Sequence, residues 1–299
     1  MKKVIVTGAN GFIGSSLIKK LVEKNICVEA LDISFEKSRL PKMELIHEIE
    51  TDLTDIDNVI SKLRDKDNYD SFYHLAWQGV NGTDKADPNI QISNIDMVLR
   101  CAKMAKKLGV NKFLCAGTIA EQAVGSLSNL NSTSGGMMYG SAKHCAHLML
   151  ETYCKNVGLD FVWMQFSNIY GPENKTGNLV SYTIDALINE QDALFGPAEQ
   201  IYDFIFVDDL IDAVVRLGED DTKNNNYFIG SGKPRLLKEY LLEIGQTMGK
   251  EDRIKIGERQ DDGIKYTVDM FDNSLLIEDI GEYVTKDFTE GIRYTLERY

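Results

Sequence analysis

The sequence contains no uninterrupted apolar run of the roughly 20 residues that a membrane-spanning helix needs. At the amino terminus only MKK precedes a short apolar segment, which is too brief to be the hydrophobic region of a signal peptide. The sequence also has no linker-like stretch, internal repeat or low-complexity segment. We therefore expect one compact cytoplasmic protein that does not associate with a membrane.

Positive charge is scarce as well. The 299 residues include 46 acidic and 33 basic side chains, which gives a net charge of -13 at pH 7. A field of this sign repels nucleic acids and anionic membrane surfaces, so we expect neither as a partner. An anionic small molecule then has to be held by local cations and backbone N–H groups.

The cysteines do not have the spacing typical of metal ligands, and we predict no metal site. Several of them lie in apolar patterns, where cysteine commonly behaves as a small hydrophobic residue. The five cysteines are Cys27, Cys101, Cys115, Cys145 and Cys154. We expect them to remain reduced in the cytosol.

Three glycines in the segment VIVTGANGFIG separate a predicted strand, residues 3–7, from a helical pattern that begins at Phe12. A glycine allows the backbone to turn tightly and to approach a pyrophosphate, whose charge the helix N-terminus then stabilises. The three glycines are Gly8, Gly11 and Gly14. This order predicts a dinucleotide-binding βαβ unit, with Phe12 and Ile13 also at the cofactor.

An acidic residue, Asp32, follows the second apolar run, residues 26–31. At the tip of a second strand its carboxylate is placed to accept hydrogen bonds from the adenosine ribose hydroxyls, and it would repel a ribose 2′-phosphate. We therefore predict NAD as the cofactor. NADP stays possible because Lys37 and Arg39 are close in sequence.

Strand-like and helical segments alternate over the first half of the chain, which predicts a doubly wound parallel sheet of the Rossmann type. Further predicted strands are 45–49, 71–75, 112–116, 161–166, 204–207 and 227–229, and predicted helices are 56–63, 90–108, 139–157, 179–189 and one from Asp209. We predict a dinucleotide-binding domain of residues 1–170, to which 201–231 return. Residues 171–200 and 232–299 would form a smaller C-terminal α/β substrate-binding lobe.

Tyr139 and Lys143 stand four residues apart in the segment MMYGSAKHC, so a helix places both side chains on one face. A nearby ammonium favours the phenolate, and we expect Lys143 to lower the pKa of Tyr139. The tyrosine can then exchange a proton with a substrate while a nicotinamide carries the hydride. The alternative is a core tyrosine beside a surface lysine, but the dinucleotide motif in the same chain favours the catalytic pair.

Together these motifs resemble the extended short-chain dehydrogenase/reductase family, in its branch of NAD-dependent nucleotide-sugar epimerases, dehydratases and 4-ketoreductases. The resemblance covers nearly the whole chain. Its motif residues here are Thr7, Gly8, Gly11 and Gly14, then Asp52 and Leu53, then His74, Leu75 and Ala76, and finally Tyr139 and Lys143. It implies that Thr118 completes a catalytic triad with Tyr139 and Lys143. It also implies cofactor contacts from Asp52, Leu53, Leu75, Ala76, Tyr139 and Lys143.

The resemblance further implies a nucleotide-diphosphate sugar as substrate. The segment SNIYGP is similar to a family motif that places Asn168 by the substrate, and Asn178 lies in a segment like the family's diphosphate loop. Where the family usually has two arginines, this chain has Gln165 and Tyr202. Other cations that could neutralise the phosphates are Lys175, Lys233, Arg235 and Arg259. We assign Arg235 to the substrate, against the alternative of an ordinary surface charge.

Two positions after Thr118 depart from the dehydratases of the family, which have an Asp-Glu pair there. This chain has Ile119 and Ala120, which cannot supply the acid and base of an elimination. Glu121 is close to that position but displaced from it. Trp77 stands where the family commonly has a small residue, either narrowing the pocket beside the nicotinamide or filling a structural core.

Two reactions at C4 of the sugar remain. We favour reduction of a 4-keto-6-deoxy sugar nucleotide by NAD(P)H, in which Tyr139 donates the proton and Thr118 orients the carbonyl. The alternative is a 4-epimerase whose tightly bound NAD oxidises C4 and returns the hydride to the opposite face. A non-catalytic NAD-binding protein is a third hypothesis, disfavoured by the presence of Tyr139 and Lys143. The resemblance also implies a homodimer, formed by helices beside the catalytic one.

Overall fold

The computed structural model describes residues 1–125, 135–174, 177–260 and 265–299. The strands in these ranges are β1 (Lys3–Thr7), β2 (Cys27–Asp32), β3 (Ile46–Glu50), β4 (Ser71–His74), β5 (Lys112–Thr118), β6 (Asp160–Phe166), β7 (Asn168–Tyr170), β8 (Ala193–Phe195), β9 (Ile201–Tyr202), β10 (Phe204–Phe206), β11 (Asn226–Ile229), β12 (Arg235–Leu236) and β13 (Ile254–Ile256). The helices are α1 (Phe12–Glu23), α2 (Ile56–Lys62), α3 (Pro88–Lys107), α4 (Ala120–Gly125), α5 (Gly135–Val157), α6 (Leu179–Ile188), α7 (Val207–Glu219), α8 (Leu237–Thr247), α9 (Ser274–Ile280) and α10 (Phe288–Leu296). None of these helices has both the length and the apolar character needed to cross a membrane.

Seven of the strands in the described ranges form one sheet, in the order β11-β6-β5-β4-β1-β2-β3. All of its strand pairs are parallel. The chain runs outward from β1 to β2 and β3 on one side, and to β4, β5 and β6 on the other. In such a sheet a ligand binds at the carboxyl ends of the strands, where the order reverses. The predicted doubly wound parallel sheet is therefore confirmed.

Side chains alternate between the two faces of the sheet, and each face has its own core. On one face Val4 and Val6 of β1 belong to a buried cluster with Leu17 of α1. On the other face Ile5 of β1 belongs to a second cluster, which includes Leu150 of α5. Burial of each such side chain stabilises the fold by roughly 1.5–3 kcal/mol. Because α5 is anchored in this way, its position relative to the carboxyl end of β5 is fixed.

The chain beyond β6 forms small two-stranded sheets and then returns to the main one. The strand β7 pairs with β10, β9 with β12, and β8 with β13. The strand β11 pairs with β6 at the edge of the seven-stranded sheet. Residues 226–229, part of the segment 201–231, therefore return to this sheet. The division into a dinucleotide-binding domain and a substrate-binding lobe stays a prediction.

Several short elements were not predicted from the sequence. They are α4, β7, β8, β9, β12 and β13. Strands of two or three residues are too short to show an alternation of apolar and polar side chains, so the pattern carries no signal for them. The helix predicted from Asp209 begins at Val207, and the helix predicted from Tyr139 begins at Gly135.

Candidate active site

The glycine turn between β1 and α1 brings backbone atoms closer together than side chains would allow. Gly8 has a φ of +67°, and a Cβ atom on it would lie 2.8 Å from the backbone nitrogen of Ala76. A Cβ atom on Gly14 would lie 2.1 Å from the carbonyl oxygen of Gly8. The Gly11 N–H donates to that same carbonyl at 3.1 Å and closes the turn. The turn thus has the form of a cradle for a pyrophosphate at the N-terminus of α1.

Asp32, the last residue of β2, is fixed beside this turn. Its carboxylate accepts hydrogen bonds from the backbone N–H groups of Asn10 and Ile33, each at 2.8 Å. The Asn10 side chain accepts from the Arg39 N–H at 2.9 Å and donates to the Ser34 carbonyl at 3.0 Å, which ties the following loop to the turn. The acid is therefore held where the ribose hydroxyls of a dinucleotide would meet it.

A cavity of about 520 Å³ follows this edge of the sheet. Except for Tyr139 and Lys143, every predicted cofactor residue lines it. These lining residues are Gly8, Gly11, Phe12, Ile13, Gly14, Asp32, Asp52, Leu53, Leu75 and Ala76. Sequence reasoning missed other lining residues, such as Asn10, Thr51 and Met97. The glycine cradle, the acid and the apolar walls fit a dinucleotide.

The three predicted catalytic residues come together at the carboxyl end of β5. Thr118 is the last residue of that strand, and Tyr139 and Lys143 lie one turn apart on α5. A side-chain hydrogen bond joins Thr118 to Tyr139. The Lys143 ammonium is on a residue only 3% exposed and donates to the Ala116 carbonyl at 2.6 Å.

The protonation of Tyr139 differs from the prediction. Burial raises the pKa of Tyr139, the Glu121 carboxylate raises it further, and the hydrogen bond with Thr118 opposes them. Burial also lowers the pKa of Lys143 to about 8, against the opposing influence of Cys115 and Glu121. The expectation of a lowered tyrosine pKa was therefore wrong, because desolvation disfavours the phenolate. The direction of the shift favours the protonated phenol of this half-buried residue.

Trp77 contacts both the cavity and the lysine. Its indole lines the cavity, and the Lys143 ammonium is 3.7 Å from the ring centroid. The ring also meets Tyr139 edge-on, with 6.2 Å between the centroids. The Trp77 indole N–H donates to the Gln91 side chain at 2.9 Å, and Gln91 is 1% exposed. The amide of Gln91 donates in turn to the Gly79 carbonyl at 3.0 Å, so the indole is held from behind.

Glu121 is a site residue whose position sequence reasoning did not find. Its carboxylate accepts hydrogen bonds from the Thr118 backbone N–H at 2.7 Å, the Trp163 indole at 3.0 Å and the Gln165 amide at 3.3 Å. The Gln165 carbonyl oxygen accepts from the Gln122 amide at 2.7 Å. Gln165 is thus part of a buried network. The partners come from two strands, β5 and β6, and no spacing in the sequence signals such a group.

The predicted substrate residues Asn168 and Asn178 use their side chains within the fold. The Asn168 amide donates to the Asp203 carbonyl at 3.1 Å. Asn178 caps α6 by accepting from the Ser181 N–H at 2.9 Å, and its amide donates to the Ile169 carbonyl, also at 2.9 Å. These contacts fix the loop that precedes α6.

A second cavity, of about 300 Å³, begins directly after Asn178. Its lining includes Leu179 and Tyr182 of α6, the Phe195 ring and the Arg259 side chain. The Arg259 guanidinium donates to the Tyr182 hydroxyl at 3.0 Å. The cavity therefore combines aromatic surfaces with a positive charge, as a nucleotide diphosphate requires.

Arg235 lies in a different place. It is paired with Glu243, and its guanidinium is 3.9 Å from the centroid of the Tyr240 ring. It lines a third cavity, of about 350 Å³, together with Lys233. The structure thus does not bring Arg235 or Lys233 to the cavity that contains Arg259, and Lys175 lies outside the described residues.

Comparisons with known proteins agree with this geometry. A profile described as the NAD dependent epimerase/dehydratase family matches residues 4–230. A CDP-abequose synthase of Salmonella typhimurium is 25% identical over 99% of this chain and 97% of its own. A UDP-glucose 4-epimerase of Mycolicibacterium smegmatis is also 25% identical, over 99% of this chain and 97% of its own.

The fold has solved counterparts as well. The UDP-glucose 4-epimerase of Thermus thermophilus, solved with NAD, superposes with a TM-score of 0.81 at 20% identity, covering 99% of this chain and 98% of that one. The profile match covers the glycine turn, Asp32, Thr118, Tyr139 and Lys143. The chain belongs to the NAD-dependent epimerase/dehydratase family, whose members are enzymes that bind NAD and act on nucleotide sugars.

Proposed function

We propose that the protein uses NAD(P)H to reduce the 4-keto group of a 4-keto-6-deoxy sugar attached to a nucleotide diphosphate. The observation that carries this proposal is the hydrogen bond between Tyr139 and Thr118, together with the buried Lys143 ammonium that donates to the Ala116 carbonyl. A cofactor in that cavity supplies a hydride to C4. The residues of this chain manage the proton and orient the substrate.

Thr118 and Tyr139 act on the carbonyl oxygen. Both hydroxyls donate hydrogen bonds to O4, which polarise the carbonyl and hold it in one orientation. As negative charge develops on O4, Tyr139 transfers its proton to it, and the Lys143 ammonium stabilises the phenolate that remains. Solvent then returns a proton to Tyr139. A tyrosine that is protonated at neutral pH suits this direction, because reduction needs an acid where oxidation needs a base.

The residues after Thr118 support reduction over elimination of water. Ile119 is buried and apolar, and the Ala120 N–H donates to the Thr118 hydroxyl oxygen at 3.3 Å. Glu121, the nearest acid along the chain, turns toward Trp163 and Gln165. The segment thus offers no acid and base for a 4,6-dehydration.

Trp77 supports reduction over epimerisation. A 4-epimerase has to hold its keto sugar in two orientations, because the hydride leaves one face of C4 and returns to the other. The Trp77 ring, fixed by Gln91, takes up space beside Tyr139 and favours one orientation. A 4-epimerase is the second candidate, supported by the full-length likeness to the Mycolicibacterium smegmatis enzyme and by an acid, Asp32, that favours NAD.

We assign the nucleotide diphosphate to the cavity at the start of α6. Tyr182 and Phe195 offer aromatic surfaces there, and Arg259 offers a cation that replaces the arginine missing at Tyr202. Leu179 directly follows the cap of α6, where the helix N-terminus favours a phosphate. On this assignment residues 171–200 and 232–299 act as the substrate-binding lobe, and Arg259 takes the role predicted for Arg235.

We also propose a homodimer that forms through α3 and α5 and works in the cytoplasm, where NAD(P)H is available. Large apolar side chains are exposed on these helices, with Ile92 on α3 and Leu148 and Met149 on α5. A surface of this kind is typical of a contact between protein chains. Sedimentation of the purified protein tests it, and a monomer at micromolar concentration would contradict it.

The reaction is tested by what the purified protein holds and by what it consumes. Denatured protein is analysed for released nucleotides by absorbance and mass, and the native protein is assayed with a 4-keto-6-deoxy sugar nucleotide. We expect little bound cofactor and oxidation of added NAD(P)H that depends on the keto sugar. Stoichiometric NAD, with interconversion of C4 epimers in the absence of added cofactor, would overturn the reductase proposal in favour of the epimerase.

A further inference from the structure

We propose that Glu121 is a positioning residue for the reduction: it holds Thr118 in place, and its negative charge keeps Tyr139 in the proton-donating form. This inference rests on the proposed function. It assigns a role to a carboxylate that is 2% exposed and takes no part in the steps described above.

The first part of the role follows from the hydrogen bond between the Glu121 carboxylate and the Thr118 N–H. This bond, at 2.7 Å, ties the carboxyl end of β5 to the first turn of α4. Gly117 makes the approach possible, because a Cβ atom there would lie 2.7 Å from Oε1 of Glu121 and 2.4 Å from the Trp163 indole nitrogen. Glu121 therefore fixes the backbone of Thr118, and with it the position of the Thr118 hydroxyl.

The second part follows from the kind of partners that the carboxylate has. Backbone, indole and amide N–H groups stabilise an ionised carboxylate without cancelling its charge. The imidazole of His147 lies 3.7 Å from Oε2 of Glu121 and stacks on Trp163, with 4.7 Å between ring centroids. Inside a protein a charge acts over longer distances than in water. Tyr139 is bonded to the Thr118 side chain and Lys143 to the Ala116 carbonyl, so both lie near the strand end that the carboxylate binds.

Other titratable groups face the same region. Tyr139 is faced by Cys115, Glu121, Lys85 and Lys143, and Glu121 is also faced by His144 and His147. The two cations that contact the Tyr139 ring, Lys85 and Lys143, favour its phenolate, whereas Glu121 opposes it. The carboxylate raises the pKa of Tyr139 and that of Lys143, so it keeps both groups protonated to higher pH.

The consequence is a direction of proton transfer. Reduction needs the Tyr139 proton, so its rate is maintained below the pKa of the group and lost as the pH rises through it. Oxidation of an alcohol needs the phenolate and has the opposite dependence. A buried negative charge near the tyrosine therefore favours reduction of a carbonyl over oxidation of an alcohol.

The test is the variant E121Q, which keeps the shape of the side chain and an acceptor for Thr118 but removes the charge. The pH profile of kcat for keto-sugar reduction is compared with that of wild type. We expect the basic limb to move to lower pH by about one unit, since a like charge near an ionisable group shifts a pKa by amounts of this order. The same direction is expected whether Tyr139 or Lys143 sets the limb. A folded E121Q with an unmoved limb would overturn the proposal.

Two further variants separate charge from position. E121D keeps the charge but draws the carboxylate back from Thr118, so we expect an unmoved limb with a kcat at least tenfold lower. E29Q is the matched control, because Glu29 is likewise a buried carboxylate, 3% exposed and bonded to His47, but it lies on β2. E29Q should leave the profile unchanged, and a limb that moves equally in E29Q would contradict a specific role for Glu121.

A measurement on the unaltered active site covers the case in which E121Q does not fold. Tyrosinate absorbance near 295 nm is titrated in wild type and in Y139F, and the difference reports Tyr139 alone without any substrate. We expect no tyrosinate from Tyr139 below pH 9, and its appearance below pH 8 would overturn the proposal. All samples are treated with a chelator, because ligand atoms of Glu121, His144 and His147 lie within 4.8 Å of one another.

The outcomes keep this inference apart from the proposed function. If wild type does not reduce a keto sugar but Tyr139 ionises at lower pH in E121Q than in wild type, the reductase proposal fails and the electrostatic role of Glu121 stands. If the keto sugar is reduced and the E121Q limb does not move, the reductase stands and the role of Glu121 fails.

Discussion

The ammonium of Lys143 lies 3.7 Å from the centre of the Trp77 ring, and Trp77 also lines the dinucleotide cavity. The indole lines the cavity, whereas Lys143 and Tyr139 do not. A cation over an aromatic face is attracted by roughly 0.5–2 kcal/mol, depending on how well it is shielded from water. Trp77 therefore both positions the lysine and limits the space beside the tyrosine.

Replacing Trp77 with alanine should change the stereochemical outcome. The smaller side chain opens room beside Tyr139, so the keto sugar can bind in two orientations and the product should contain both C4 epimers. Loss of the ring under Lys143 should also lower kcat by about fivefold or more, as expected for an interaction worth ~1 kcal/mol or more. Nuclear magnetic resonance of the product measures the epimer ratio. Trp77→Phe, which keeps a ring, is the control, and one pure epimer from the alanine variant would contradict the argument.

Replacing Tyr139 with phenylalanine should remove turnover while leaving cofactor binding nearly unchanged. Only the group that transfers the proton is lost, and such groups contribute about 10²–10⁴-fold to a rate. Steady-state kinetics and the Kd for NADH, measured by fluorescence, give the two quantities. Tyr153→Phe, on the same helix, should behave as wild type. Full activity of Tyr139→Phe would contradict the proposed proton transfer from Tyr139.

Replacing Asp32 with alanine should weaken binding of NAD(H) more than binding of NADP(H). The carboxylate accepts hydrogen bonds from the ribose hydroxyls of NAD(H) and repels the 2′-phosphate of NADP(H). Its removal therefore weakens NAD(H) binding and removes a repulsion that opposes NADP(H) binding. Calorimetry with both reduced cofactors measures the difference. Glu36→Ala, an exposed acid in the loop after β2, serves as the control. An equal loss for both cofactors would show that Asp32 does not contact the ribose.

Substitutions of Arg259 and Arg235 should affect substrate binding differently, because only Arg259 is assigned to the substrate phosphates. Arg259→Ala should raise KM for the sugar nucleotide by about tenfold or more, since a charge-assisted hydrogen bond contributes about 1.5–3 kcal/mol. Arg235→Ala should instead lower Tm with little change in KM, because Arg235 is bound to Glu243 and stacked on Tyr240. Kinetics and thermal unfolding of both variants decide between them. A rise in KM confined to Arg235→Ala would restore the role first predicted for that residue.

Features that are local in sequence were predictable. The glycine turn and Asp32 belong to one βαβ unit, and Tyr139 and Lys143 share one helix, so spacing alone brings their side chains together. The position of Glu121 was not predictable, because its bonds to Trp163 and Gln165 span 42 and 44 residues along the chain.

The raised pKa of Tyr139 was missed for a related reason. A sequence contains the neighbouring charges but not the burial, and burial is the larger cause here. The sequence was also insufficient to decide whether Arg235 or Arg259 binds the substrate phosphates. The sequence does not show which basic residue is paired within the fold, whereas the structure pairs Arg235 with Glu243 and places Arg259 in a different cavity.

The pairing of β11 with β6 makes the two halves of the chain inseparable. The outer edge of β6 is covered by residues 226–229, which arrive some 60 residues later, after β7 to β10 and the helices α6 and α7. A fragment ending near residue 170 would leave that edge open, and an open edge of parallel strand recruits other chains. The fragment that ends near residue 170 is therefore expected to aggregate when it is expressed alone. It should not serve as an independent NAD-binding domain.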